Sequence, residues 1–200
     1  MPNYRFIDKV SAAANLTANA LIVGDGGAKG VKTATGAVTI PTINLTGGQI
    51  AFPATAVPSA DPNTLDDYEE GYVTPITLLC GTSGTITIDS TLDTLAYTKI
   101  GRVVHIQGAI SASAVDAPVG SLALTGLPFT IADLTEAVES GGFDVPYLSI
   151  NAVTLGIVAL PTVSTTTISL REKTTTGFVN TLAGNIPAGS YLYFNFNYIA

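Results

Sequence analysis

From about residue 72 onward, apolar and polar positions alternate in short runs that Gly, Pro and Asn interrupt. Alternation with a period of two is typical of a β-strand with one buried face. The pattern predicts strands at 72–80, 84–89, 94–98, 102–111, 120–125, 147–151, 153–159, 163–170, 177–182 and 190–199. Strands of this length and spacing indicate an all-β fold, an antiparallel β-sandwich of the jelly-roll-like kind.

The last run shows the alternation best. One side of this strand carries Tyr191, Tyr193, Asn195 and Asn197. The other side carries most of the bulk, in Leu192, Phe194, Phe196, Tyr198 and Ile199. One stretch interrupts the strands, the acidic ADLTEAVESGG at 132–142, which we expect to be a surface loop or a single helical turn ended by Gly141 and Gly142.

The first third of the chain has a different pattern, in which β-like runs are broken by Gly and Pro at close intervals. Such short runs are too brief to build a compact sheet alone. We therefore expect residues 1–60 to form an extended N-terminal arm that pairs with other chains. Residues 53–64, with three prolines and no periodicity, predict a linker, and residues 65–200 a C-terminal β-sandwich head domain.

The composition supports strands over helices and disorder. The chain is 46% apolar and only 12% charged, against about 25% charged in ordinary domains. Disordered chains need the opposite balance, and the abundant Thr, Val, Ile and Gly are poor helix formers. Several long uncharged stretches occur, but none has 18 consecutive apolar residues, so we expect no membrane insertion.

Charge is distributed unevenly along the chain. The net charge is −7, with +2 in residues 1–60 and −9 in residues 61–200. A net negative charge argues against nucleic acid as a partner. The change of sign suggests two parts with different surroundings.

The sequence offers little catalytic chemistry. Cys80 and His105 are each the single residue of their type, so an internal disulfide and a Cys-based zinc site are excluded. A Cys80–His105 dyad is conceivable, but a half-buried strand histidine is favoured because His105 lies in RVVHIQG. The glycine cluster GDGGAKG at 24–30 fits neither phosphate-binding pattern and predicts tight turns. We assign no catalytic, cofactor-binding or metal-binding residue.

The densest charge is an acidic run, Asp66, Asp67, Glu69 and Glu70. Such a run can hold Ca²⁺ or supply the paired carboxylates of glycoside hydrolysis. It lacks the spaced Asx residues and the Gly turn of a calcium loop. A solvated or salt-bridged turn at the start of a domain is the favoured interpretation. Exposed tyrosines near this run can stack on sugar rings, although core packing is their more usual role.

Three segments resemble a known family. LDDYEEG at 65–71, YTKIGR at 97–102 and GLPF at 126–129 occur in the order found in the C-terminal β domain of tailed-bacteriophage virion proteins. These are tail-fibre, receptor-binding and head-fibre proteins. The lead-in GGQIAFPATAVPSADPNT at 47–64 is similar too, and the resemblance extends over about 47–130. The chain departs from the family pattern at Tyr72 and Val73, where a Thr and an aromatic residue are usual.

The resemblance implies a homotrimeric structural protein of the virion, bound to other virion proteins through residues 1–60. No catalytic residue belongs to the motif, so we expect no enzyme. The motif residues would form the entrance of the β domain and order its junction with the arm: Asp66, Asp67, Tyr68, Glu69, Glu70 and Gly71.

Two functions remain open under this resemblance. The first is a trimeric fibre or receptor-binding protein whose head meets the host surface, with polysaccharide as its partner. The second is a capsid decoration or head-fibre protein that binds and stabilises the shell. The expected location is therefore the virion, at the tail or on the capsid surface. A polysaccharide hydrolase is disfavoured, because the long repeated β-helix with paired carboxylates is missing from the sequence.

Overall fold

The computed structural model describes residues 48–53, 55, 57, 65, 67–135, 141–151, 155–180 and 182–200, and the backbone of 22–24 and 31–33. The chain divides into two compact units, Met1–Ile50 and Ala51–Ala200. In the first unit, strands β1 (Ile22–Gly24) and β2 (Val31–Thr33) pair antiparallel. The rest of the predicted arm up to residue 47 lies outside the described residues.

The second unit is built from β-strands. Within its described part these are β3 (Tyr68–Val73), β4 (Thr77–Cys80), β5 (Ser83–Ile88), β6 (Leu95–Ile100), β7 (Val103–Val119), β8 (Leu122–Thr125), β9 (Phe143–Val145), β10 (Tyr147–Leu148), β11 (Gly156–Thr162), β12 (Thr167–Thr174), β13 (Gly177–Val179) and β14 (Tyr191–Ile199), with one 3-10 helix at Ala183–Asn185. Every strand pair is antiparallel. The predicted all-β, antiparallel architecture is confirmed. No helix in the described part of the chain is long and apolar enough to cross a membrane.

The strands form two layers that share β7. The first layer has the order β3-β6-β7-β14-β10, and the second β7-β5-β4-β8-β12-β11-β9, with β13 beside β12. Residues 103–107 of β7 pair with β6, and residues 103–111 pair with β14 along the opposite edge. Farther along, from Ala112 to Val119, β7 pairs with β5. The strand therefore carries the sheet from one layer into the other.

A single apolar core lies between the layers. Leu95 and Ile106 from the first layer and Leu124 and Leu170 from the second are all almost fully buried. Strand β14 buries alternate side chains, as its sequence pattern predicts: Leu192, Phe194, Phe196 and Tyr198. Phe143 of β9 stacks on Phe196 with ring centroids 4.1 Å apart, which closes one end of the core.

Some predicted strand limits are wrong. The run at 72–80 is two strands, because β3 pairs in the first layer and β4 in the second, with the chain turning at the cis Thr74–Pro75 bond. The run at 102–111 continues to Val119, since its second half finds a new partner in β5. In the predicted loop at 132–142, residues 136–140 lie outside the described residues.

Candidate functional site

Two of the motif segments are neighbouring strands. Strand β3 contains most of the DYEEG segment and pairs along its length with β6, which contains most of YTKIG. Glu69 lies opposite Lys99, and Gly71 lies opposite Tyr97. Since directly opposed residues point to the same face of a sheet, these four share the inner face of the first layer, toward Val104 and the core.

An ion pair binds the start of β3 to β6. The Lys99 ammonium donates to the Asp67 carboxylate, and both side chains are largely buried, with 13% and 8% of their surface exposed. The Lys99 Nζ also lies 5.2 Å from the centroid of the Phe129 ring, an arrangement that attracts a cation to the aromatic face. Because charges removed from water are costly unless paired, the two side chains hold each other in place.

Tyr97 joins the acidic segment to the GLPF turn. Its hydroxyl donates a 2.5 Å hydrogen bond to Oε1 of Glu69, and its ring meets Phe129 edge-on with centroids 5.5 Å apart. The hydrogen bond to the Glu69 carboxylate, helped by burial and by the carboxylate charge, raises the pKa of Tyr97 to about 12. The phenol therefore stays neutral and remains a donor at physiological pH.

Tyr198 secures the turn from the other side. Its hydroxyl accepts a 3.2 Å hydrogen bond from the Phe129 amide and donates a 3.1 Å bond to the Phe129 carbonyl. Burial raises the pKa of Tyr198 well above its usual value. We call the set formed by these side chains the junction cluster: Asp67, Glu69, Tyr97, Lys99, Phe129 and Tyr198. The sequence did not predict that Tyr198 contacts the motif segments. It indicated only that Tyr198 lies on the bulky side of the last strand.

Two glycines of the motif segments lie close to neighbouring residues, which leaves little space for a side chain. A Cβ on Gly71 would lie 2.9 Å from Cε1 of Tyr97, so the tyrosine ring covers the space that a side chain would need. Gly126 has a φ of +100°, and a Cβ there would lie 2.8 Å from the Pro75 carbonyl oxygen. A side chain at position 71 would displace the end of the Tyr97 ring, whereas one at position 126 would meet backbone and adopt a φ that favours glycine.

The motif residues of β3 divide between its two faces. Asp67 and Glu69 join the junction cluster, while Tyr68 and Glu70 lie on the outer face. The Tyr68 hydroxyl donates a 2.9 Å bond to Oε2 of Glu70, and that carboxylate raises the pKa of Tyr68. Asp66 lies outside the described residues. The role of the motif as the entrance of the domain stays a prediction.

The lone cysteine and histidine belong to different layers. Cys80 lies in β4, opposite Leu122, and partial burial raises the pKa of its thiol. His105 lies in the first layer, with its Nδ1 2.9 Å from Oδ1 of Asn197. Within the described part of the chain, no group of three or more His, Cys, Asp or Glu side chains is placed to hold a metal ion.

A cleft lies along the β3–β6 pair, and four of its six lining residues belong to the outer face. It has a volume of about 350 Å³ and is lined by Glu70, Gly71, Tyr72, Ala96, Tyr97 and Thr98. Tyr72 stands at its side with 77% of its surface exposed. The polar groups of the junction cluster are thus hydrogen-bonded to one another, and the cleft is lined mainly by residues of the opposite face.

Comparison with known proteins adds a fold relationship. No family model matches the chain, and no curated protein matches it. Among solved structures, the chain is similar to the Dettilon tailspike protein gp208, with 16% sequence identity and a TM-score of 0.56. The similarity covers 66% of this chain and 23% of that one, so the chain corresponds to less than a quarter of the tailspike protein. The likeness shows a shared fold.

The packing of Tyr97 on Gly71 generates the first prediction. The substitution Gly71→Ala should displace the tyrosine ring, because the new methyl group would lie within 3.1 Å of three of its atoms. We expect the free energy of unfolding in urea to fall by about 1–3 kcal/mol, the range for overpacking. The matched control is Gly141→Ala, where nothing lies within 4 Å of the new Cβ and the change should be small. Equal losses in the two variants would contradict this account of Gly71.

The pKa of Tyr97 generates a prediction about alkaline pH. A folded-state pKa of about 12, against 10.0 for a tyrosine side chain in water, means that the folded protein holds this proton more tightly than the unfolded chain. The stabilisation from Tyr97 is therefore complete below pH 10 and is lost as the pH rises through 12. Unfolding free energies measured from pH 9 to 12 should fall more steeply for the native chain than for Tyr97→Phe. Parallel curves would show that the Tyr97 hydroxyl does not contribute.

Proposed function

We propose that this chain is a structural protein of a tailed-phage virion, a trimeric fibre or receptor-binding protein. Residues 1–60 attach it to other virion proteins, and the head domain of residues 65–200 meets the host surface. The observation that supports this most is the contact among the three motif segments, which meet at Tyr97 and Phe129. The shared fold with part of a phage tailspike protein points the same way.

The chemistry of the acidic run favours a structural role over hydrolysis. Asp67 accepts from Lys99, Glu69 accepts from Tyr97, and Glu70 accepts from Tyr68. Consecutive residues of a strand point to opposite faces, so Glu69 and Glu70 do not face a common substrate. A pair of carboxylates flanking a glycosidic bond has the opposite arrangement.

Assembly into a trimer is supported by apolar side chains left exposed on the second layer and its loops. Leu79, Val119, Leu155 and Phe178 each keep about half of their surface accessible. Sparse charge and exposed apolar strands in a lone subunit invite association. In sister subunits these side chains would be covered.

The trimer is tested by sedimentation. At micromolar concentration, equilibrium sedimentation should give three times the 20.4 kDa mass of the chain. The association should survive high salt, because so few charges contribute. A stable monomer under these conditions would overturn the trimer.

Receptor binding is tested by competition for adsorption. The purified protein, added free to host cells before the phage, should reduce adsorption in proportion to the cell surface it occupies, and antibodies against it should label the virion tail in electron micrographs. Heat-unfolded protein at the same concentration is the control. Undiminished adsorption together with labelling over the whole capsid shell would contradict the proposal and identify a capsid decoration protein instead.

A further inference from the structure

Two neighbouring rows of side chains on the outer face of the first layer are mainly polar. The row beside them is apolar and contains Tyr68, Ile100 and Val103, each about half exposed. Pairing across β3, β6, β7 and β14 sets the first row as Glu70, Thr98, His105 and Asn197. The same pairing sets the second row as Tyr72, Ala96, Gln107 and Asn195. Directly opposed residues share a face, so these rows form one continuous surface.

The rows are rich in uncharged hydrogen-bonding groups. They offer two hydroxyls, an imidazole and three amides, with the Glu70 carboxylate as the single acid among them. Gln107, Asn195 and Asn197 are exposed, and His105 Nδ1 lies 2.9 Å from Oδ1 of Asn197. Amides both donate and accept, as sugar hydroxyls do. The composition of these two rows differs from the apolar centre of a subunit interface, whereas the adjoining row of Tyr68, Ile100 and Val103 is apolar.

The cleft lies at the β3 end of these rows. Tyr72 stands opposite Ala96, whose single methyl group leaves room beside the tyrosine ring. Glu70 stands opposite Thr98 and is held by the hydroxyl of Tyr68. An exposed aromatic ring next to a positioned carboxylate and a hydroxyl offers stacking and hydrogen bonds within one volume of about 350 Å³.

We propose that this cleft binds a neutral sugar residue of the host's surface polysaccharide. The ring of Tyr72 stacks on the apolar face of the sugar, Glu70 accepts from its hydroxyls, and Thr98 adds a further hydrogen bond. The chain of sugars continues along the rows toward Gln107 and Asn195. The acid in the cleft and the net charge of −7 disfavour an anionic polysaccharide. This inference rests on the proposed receptor-binding function and gives it a site and a ligand class.

The test compares variants of Tyr72 in the full chain. The probes are purified surface polysaccharide from the host and a panel of neutral oligosaccharides, with binding followed by calorimetry and NMR. Tyr72→Ala should weaken binding roughly tenfold, as loss of a stacking partner does, and Tyr72→Phe should retain it. The matched control is Leu148→Ala, which removes an exposed apolar side chain from β10 at the opposite edge of the first layer from β3 and should leave binding unchanged.

The outcomes separate this site from the wider function. If native protein and Tyr72→Ala bind the polysaccharide equally, the cleft is the wrong site, although receptor binding stands. If the protein still blocks adsorption after periodate has oxidised the sugars of the host surface, the ligand is not carbohydrate. The inference then fails, while the proposed receptor-binding function stands. If Tyr72→Ala dissociates the oligomer, a second copy of the chain covers this face and the inference is overturned. If native protein neither binds polysaccharide nor blocks adsorption, the inference and the proposed function fail together.

Discussion

Strand β7 has to satisfy backbone hydrogen bonds in two layers at once, and the rest of the sandwich depends on how it does so. Its first half is bonded along both edges, by β6 and β14, and its second half pairs with β5. The connection between β5 and β6 bonds the crossing itself, since the Asp89 amide donates to the Ser111 carbonyl and the Ser111 amide donates to the Leu92 carbonyl. Gly108 lies close to the crossing with a φ of +147°, and a Cβ there would lie 2.8 Å from Leu95. Backbone that only glycine adopts easily is thus placed where the strand changes layer.

The junction cluster follows from this arrangement. Because β6 is held on the edge of β7, Tyr97 and Lys99 project inward, where a free charge or hydroxyl is costly. Asp67 and Glu69 supply the partners, and with them β3 is bound as the outermost strand of the layer. The acidic segment therefore binds the edge strand β3 to β6 through polar side chains. The aromatic ring of Phe129 brings the GLPF turn into the same array.

The two faces of β3 carry side chains with different surroundings. Its inward residues serve the junction cluster, while Tyr68, Glu70 and Tyr72 face outward. Substitutions on the outer face need not disturb the junction cluster, because consecutive side chains of a strand point to opposite faces. Tyr72, where the chain departs from the pattern of the family that it resembles, lines the cleft.

The sequence by itself determined the fold class and much of the strand pattern, because a period of two and an excess of β-branched residues and Gly turns have few alternatives in structure. It also picked out the motif segments, though only by resemblance. The tertiary structure decided which residues of these segments contact one another. Asp67 and Lys99 are 32 residues apart and Tyr198 and Phe129 are 69 apart, so no local pattern could have paired them. It likewise decided that the run at 72–80 is divided between two layers and that β7 spans both. Such choices depend on long-range strand pairing, in which the partner of each strand is set by packing across the whole core.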